Sequence, residues 1–161
     1  MTPREFNNSV DAYSDNIYRF ILKNIKDEDK AKDIVQDTYE KLWKKKETVS
    51  GGKVKSYLFT AAYHTMIDYI RKVKNETEID DVNYNSYSHS EQYSDLHEIL
   101  NQALEKLPEV QKNVLLLRDY EGYSYEEIGE ITGLNESQVK VYIYRARVFL
   151  KKYIGSMETV I

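Results

Sequence analysis

Apolar residues recur along the chain at steps of three and four, the spacing that gathers them on one face of a helix. In residues 4–24 they are Phe6, Val10, Tyr13, Ile17, Phe20 and Ile21. Lys26-Asp27-Glu28-Asp29 interrupts the stripe. Asp27 suits the N-cap of a second helix, whose acidic first turn favours the helix dipole. That helix is expected to reach about residue 46, with an inner stripe of Ala31, Ile34, Val35, Thr38, Leu42 and Trp43. Val49-Ser50-Gly51-Gly52 predicts a loop. A third helix over about 53–74 carries Val54, Tyr57, Leu58, Ala61, Ala62 and Ile67. Three helices of this size can enclose a small core.

The periodicity lapses in residues 75–95, NETEIDDVNYNSYSHSEQYSD, which are rich in Asn, Ser and acids and predict a flexible linker. Four further helices fit the remainder. The first spans about 95–106. Pro108 precedes or opens the second, about 109–120, where a proline is tolerated. The third, Tyr125–Thr132, is opened by Ser124 with Glu127 three residues on, the pattern of a capping box. Gly133-Leu134-Asn135 turns the chain, and the last helix covers about 136–153. The expected fold class is all-α, with a three-helix bundle, a flexible acidic linker and a four-helix domain.

Composition agrees. The 161 residues include 6 Gly and 2 Pro, too few to break many helices, and 41% are hydrophobic against 31% charged, as in a folded soluble chain. The absence of Cys excludes disulfides and thiolate metal sites. No run approaches the ~20 apolar residues of a membrane span. The opening MTPREFNNSVDAY lacks the apolar stretch of a signal peptide, so a cytoplasmic protein without membrane insertion is expected.

The net charge of -4 looks wrong for a nucleic-acid binder, but its distribution is uneven. Residues 1–74 hold 15 Lys and Arg against 11 acids, residues 75–95 hold 6 acids and no Lys or Arg, and residues 96–161 hold 8 against 10. Within the last part, Lys140, Arg145, Arg147, Lys151 and Lys152 follow one another with no acid between them. A local basic face of this kind binds phosphates even on an acidic domain.

That face belongs to a segment with the grammar of a helix-turn-helix, SYEEIGEITGLNESQVKVYIYRARVFLKKY. Gly129 sits where two helices approach closely, Gly133 sits in the turn, and Leu134 fills the corner. Val139, Ile143, Ala146 and Leu150 form the buried stripe of the second helix. Its outward positions are then Ser137, Gln138, Lys140, Val141, Tyr144, Arg145 and Arg147. A major groove admits one such helix. Lys and Arg would position it on phosphate, while Gln138 or Arg145 would read bases. A helical hairpin with a solvated charged face fits the same bare pattern.

With Glu126-Glu127-Ile128-Gly129-Glu130-Ile131 in one stretch and Asp33-Ile34-Val35-Gln36-Asp37-Thr38-Tyr39 with Leu42-Trp43 in another, the chain resembles one family, the extracytoplasmic-function (ECF) sigma factors. Glu126-Glu127-Ile128-Gly129-Glu130-Ile131, Val139-Lys140 and Tyr144-Arg145-Ala146-Arg147 are similar to its fourth conserved region. So are Leu107-Pro108-Glu109-Val110-Gln111-Lys112 and the run from Leu117-Arg118 to Tyr123-Ser124. Ala31-Lys32-Asp33-Ile34-Val35-Gln36-Asp37-Thr38-Tyr39 with Leu42-Trp43, Lys55-Ser56-Tyr57-Leu58-Phe59, and Asp68-Tyr69-Ile70-Arg71 are similar to the second. The resemblance covers nearly the whole chain and keeps the order of the regions.

The resemblance implies a bacterial factor that directs RNA polymerase core to promoters and helps open the minus-ten region. It implies a division into residues 1–74, a linker at 75–94 and residues 95–161. Asp33, Gln36, Asp37 and Glu40 would dock on the β′ coiled coil of the polymerase. Ser50, Gly51, Lys53, Tyr57, Tyr63, Arg71, Lys72 and Lys74 would take the minus-ten element, with Phe59 a further aromatic on that path. A core role fits each of these aromatics equally well. The seven outward residues of the last helix would read the minus-thirty-five duplex while part of the same domain rests on the β flap. The acidic linker would lie in the polymerase's nucleic-acid channel, its 6 acids mimicking a phosphate backbone. A membrane-associated anti-sigma factor is implied as partner.

The chain departs from the family pattern at Tyr57, often Trp; His64, often Asn; Tyr142, often Arg; and Gly129, commonly Ala. The promoter preference therefore does not carry over. No nucleophile elbow, phosphate-binding glycine loop or metal motif is present, and His64, His89 and His97 have no metal-ligand spacing. No enzymatic activity, cofactor or metal is expected. The alternative is a duplex-binding helix-turn-helix regulator that needs no polymerase core. Its receiver domain would show alternating strands and helices, which residues 1–74 do not.

Overall fold

A computed structural model describes residues 1–76 and 95–158 and places them in two compact units. The first is built on three helices, α1 (Pro3–Ile25), α2 (Glu28–Lys44) and α3 (Val54–Glu76), each packed on the other two. Its core is Ile17, Phe20, Ile21, Ala31, Leu42, Leu58, Phe59, Ala62 and Met66, all essentially sealed from solvent. Tyr39 ties two of the helices together, because its buried hydroxyl donates to the Ser9 carbonyl oxygen at 2.9 Å. Burial pushes the Tyr39 phenol well above its ordinary range, so it stays a neutral donor.

Local chemistry sets the helix ends. Thr2 caps α1 by accepting from the Glu5 N–H at 3.1 Å, and Pro3 fills the first helical position, where its missing N–H costs nothing. Asp27 caps α2 as expected, accepting from the Lys30 N–H at 3.1 Å. Between α2 and α3 the loop tightens into a 3-10 turn at Gly51–Lys53. The α1 C-cap is Lys26, the one non-glycine residue with positive φ among the described residues (φ 60°). A left-handed conformation crowds the Cβ atom against the backbone. Lys26→Gly should therefore stabilise the chain by about 0.5–1 kcal/mol. A melting temperature that falls on this substitution would contradict that account.

The second unit is built on α4 (Asp95–Lys106), α5 (Glu109–Leu115), α7 (Glu136–Glu158) and the start of α6 (Tyr125–Thr132). Val114, Leu115, Leu116 and Leu117 are all buried. Four consecutive residues span about 300° of a helix, so this end of the helix is enclosed on nearly every side, while Glu109 and Val110 at its start stay exposed. The helix expected over 109–120 changes character at its end. Leu116–Tyr120 widen into a π turn, with the Glu121 N–H donating to the Leu116 oxygen five residues back at 3.1 Å. The capping box at Ser124 is present in both directions, 3.1 and 3.0 Å.

Three expectations are corrected. Trp43, placed in the inner stripe of α2, is 40% exposed. Val35 and Leu150, also assigned to buried stripes, are only half-buried. The last helix runs five residues past the expected end, to Glu158. The linker expectation falls outside the described residues, apart from 75 and 76, which complete α3, and 95, which opens α4.

Candidate nucleic-acid interface

The turn between α6 and α7 is closed by backbone geometry. Gly133 adopts φ 83° and its N–H donates to the Gly129 oxygen at 2.8 Å. Only a residue without Cβ takes that conformation freely. Gly129 allows the close approach behind it, since a Cβ built there would lie 2.7 Å from the Leu134 carbonyl oxygen. Beyond the turn, Val139, Ile143 and Ala146 are buried and hold α7 to the unit. The seven outward residues, Ser137, Gln138, Lys140, Val141, Tyr144, Arg145 and Arg147, are all exposed.

Their chemistry differs from what residue type alone suggests. Asn135 and Gln138 form a reciprocal cap at the start of α7: the Gln138 N–H donates to Asn135 Oδ1 at 2.8 Å, and the Asn135 N–H donates to Gln138 Oε1 at 3.0 Å. The side-chain oxygen of Gln138 is thus spent on the cap. Lys140 pairs with Glu136 one turn back at 3.4 Å. Arg147 makes a two-pronged contact with Asp119 of the π turn, Nε to Oδ2 at 3.3 Å and Nη2 to Oδ1. That hydrogen bond raises the Arg147 pKa still further and fixes its charge. Both partners are partly exposed, so the pair orients the side chain more than it stabilises the fold.

Two residues beside this helix were not singled out in the sequence. Tyr125, the first residue of α6, has the Arg118 guanidinium 4.7 Å and the Lys140 ammonium 5.5 Å from its ring centre. Arg118 is itself held by the Tyr123 carbonyl oxygen, to which Nη1 donates at 2.8 Å. Through the shared Tyr125 ring, Arg118 lies beside Lys140 on the outward face of α7 and extends its basic character. The signal was the placement of Arg118 and Tyr125 on either side of the Ser124 cap.

The first unit presents a different surface. Asp33, Gln36, Asp37 and Glu40 are all exposed along one side of α2. Gln36 and Glu40 also line an open groove of about 510 Å³ between α1 and α2, together with Phe6, Tyr39, Trp43 and Lys44. Trp43 stands at its edge, its ring 4.9 Å from Phe6 and covered by the Lys46 ammonium at 3.5 Å.

The third set is not brought together. Ser50, Gly51 and Lys53 lie at the start of α3, and Arg71, Lys72 and Lys74 near its end. At 1.5 Å per residue, Lys53 and Arg71 stand about 27 Å apart. All six are exposed. Of the aromatics between them, Tyr57 is half-buried, with its hydroxyl 3.5 Å from the Lys41 oxygen. Tyr63 is only 8% exposed and Phe59 not at all. A side chain so enclosed offers no face for a base to stack on, so both are core residues and leave the candidate set.

Comparison with known proteins follows the same division. The family description Sigma-70 region 2 matches residues 10–76, and Sigma-70, region 4 matches residues 97–150. RNA polymerase sigma factor SigV of Bacillus subtilis (strain 168) is 35% identical over 140 residues, 85% of this chain and 83% of that protein. ECF RNA polymerase sigma factor SigM of the same organism is 31% identical over 144 residues, 86% and 88%. Among solved structures, the sigma factor RpoE in complex with the anti-sigma factor NepR from Bartonella quintana matches with a TM-score of 0.81 at 27% identity, covering 94% of this chain and 98% of that one. A lone duplex-binding regulator accounts for the second region but not the first. With both regions present in order, and with relatives aligned over most of their length, the chain belongs to the ECF sigma factors, the promoter-directing subunits of bacterial RNA polymerase.

Proposed function

We propose that residues 1–74 dock on the polymerase core and take the minus-ten element, and that residues 95–161 read the minus-thirty-five duplex. The observation that carries this is the pair of exposed helix faces of opposite chemistry. The α2 face is acidic and suits a basic protein partner, and the α7 face is basic and suits DNA. In this reading Asp33, Gln36, Asp37 and Glu40 meet the β′ coiled coil. Ser50, Gly51, Lys53, Tyr57, Arg71, Lys72 and Lys74 follow the opened strand.

Lys140 and Arg147 sit on phosphates and Arg145 reaches base edges from α7, with Arg118 and Tyr125 beside them. The second domain also rests on the β flap. The factor works in the cytoplasm, contributes no catalysis of its own and uses no cofactor. An anti-sigma factor is its expected regulator, a reading supported by the related RpoE, whose structure contains one.

The test is to add the purified chain to sigma-free bacterial core polymerase and sequence the 5′ ends of transcripts from genomic DNA. Discrete start sites sharing two upstream elements are expected. Random initiation, with the chain alone protecting duplex sites, would overturn the reading.

A further inference from the structure

Resting on that promoter reading of α7, we propose that Val141 and Tyr144 select thymine in the upstream element by packing against its C5-methyl group. The two side chains are 43% and 70% exposed, one turn apart on the same face of the helix. An exposed valine in a helix serves neither propensity nor solubility. The polar neighbours that would otherwise read bases are engaged elsewhere: Gln138 Oε1 in the helix cap, Lys140 with Glu136, and Arg147 with Asp119. The centre of the recognition surface is therefore apolar, with Ser137 and Arg145 exposed on either side of it along the helix.

In the major groove the one apolar base substituent is the thymine methyl. It distinguishes thymine from every other base without a hydrogen bond. Arginine reads guanine through its O6 and N7 atoms. A mixed element follows, in which Arg145 fixes guanine and the Val141–Tyr144 pair fixes neighbouring thymines on either strand.

The test uses holoenzyme assembled from the full chain and bacterial core polymerase. Its probe is a duplex library with a randomised upstream segment ligated to the minus-ten region of a mapped start site. The randomised segment is copied with either thymidine or deoxyuridine triphosphate, which differ only in the methyl group. Thymine positions selected from the first library should lose about fourfold in relative enrichment each in the second, the worth of one buried methyl. Guanine positions should hold their enrichment in both.

The Val141→Ser/Tyr144→Ser variant should show the reduced thymine preference already in the thymidine library. Serine has nearly the helix propensity of the residues it replaces, so the variant should fold. If uracil replaces thymine without loss, or if the variant still distinguishes the two libraries, the proposal fails while the promoter reading stands. If no upstream element is selected from either library, the promoter reading of α7 fails with it.

Discussion

Gly129→Val should destabilise the second unit by about 2–3 kcal/mol and lower its melting temperature by roughly 10–20 °C. The Cβ of any other residue at this position meets the Leu134 carbonyl oxygen at 2.7 Å, and that oxygen belongs to backbone, not to a side chain that can swing away. The turn has little freedom to retreat, because the Gly133 N–H is bonded to the Gly129 oxygen at 2.8 Å and Gly133 holds φ 83°. Valine adds two further methyl groups to the same contact. Against this stands the better helix propensity of valine over glycine, about half a kcal/mol or less. Overpacking wins on magnitude.

Gly129→Ala carries the same Cβ contact without the extra methyls and gains about 1 kcal/mol of propensity, so its loss should be distinctly smaller. Hydrogen exchange of the α7 amides would locate the effect, since loosening the turn frees the start of that helix first. Equal stability of the glycine and valine forms would mean that α6 and the turn lie further apart than described.

Features set by neighbours three or four residues apart were legible in the sequence. The Ser124–Glu127 capping box and the Asp27 cap are of this kind, and both formed as expected. So did the seven exposed positions of α7, because a buried stripe at Val139, Ile143 and Ala146 leaves little choice for the rest. The Asn135–Gln138 cap obeys the same local grammar and was equally visible, but Gln138 was read as a contact to bases, which hid its second use.

Trp43 failed for a geometric reason. It lies about 120° around α2 from Ala31, at the margin of the inner face, where size and apolarity suggest burial and angle does not. Tyr39, about 80° from Ala31, lies nearer that face and is the ring that goes in. The π turn and the Arg147–Asp119 contact join positions 28 residues apart or depend on how α5 is enclosed, so no local pattern announces them. Tyr63 and Phe59 were ambiguous because an aromatic at helical spacing serves a core and a stacking surface equally well.

Charge reversal on α2, Asp33→Lys with Asp37→Lys, should weaken binding to core polymerase by at least about 100-fold while leaving the fold intact. Both side chains are exposed, so neither lends packing to the bundle. The cost within the helix is confined to like-charge neighbours such as Lys30 and Lys41, at about 0.2–0.5 kcal/mol per pair, and the melting temperature should move by only a few degrees. At an interface the balance is different. Removing one member of a desolvated charge pair costs about 2–5 kcal/mol, and reversal adds repulsion.

A loss of that size separates the α2 face from a merely solvated acidic patch, which would tolerate lysine with no change in affinity. The same variant should keep the duplex binding proposed for α7, because that helix belongs to the other unit. Titration of core polymerase with labelled factor reads the first effect, and circular dichroism melting reads the second. If affinity for core survives the reversal, the docking surface lies elsewhere, and the groove edged by Trp43 and Phe6 becomes the next place to mutate.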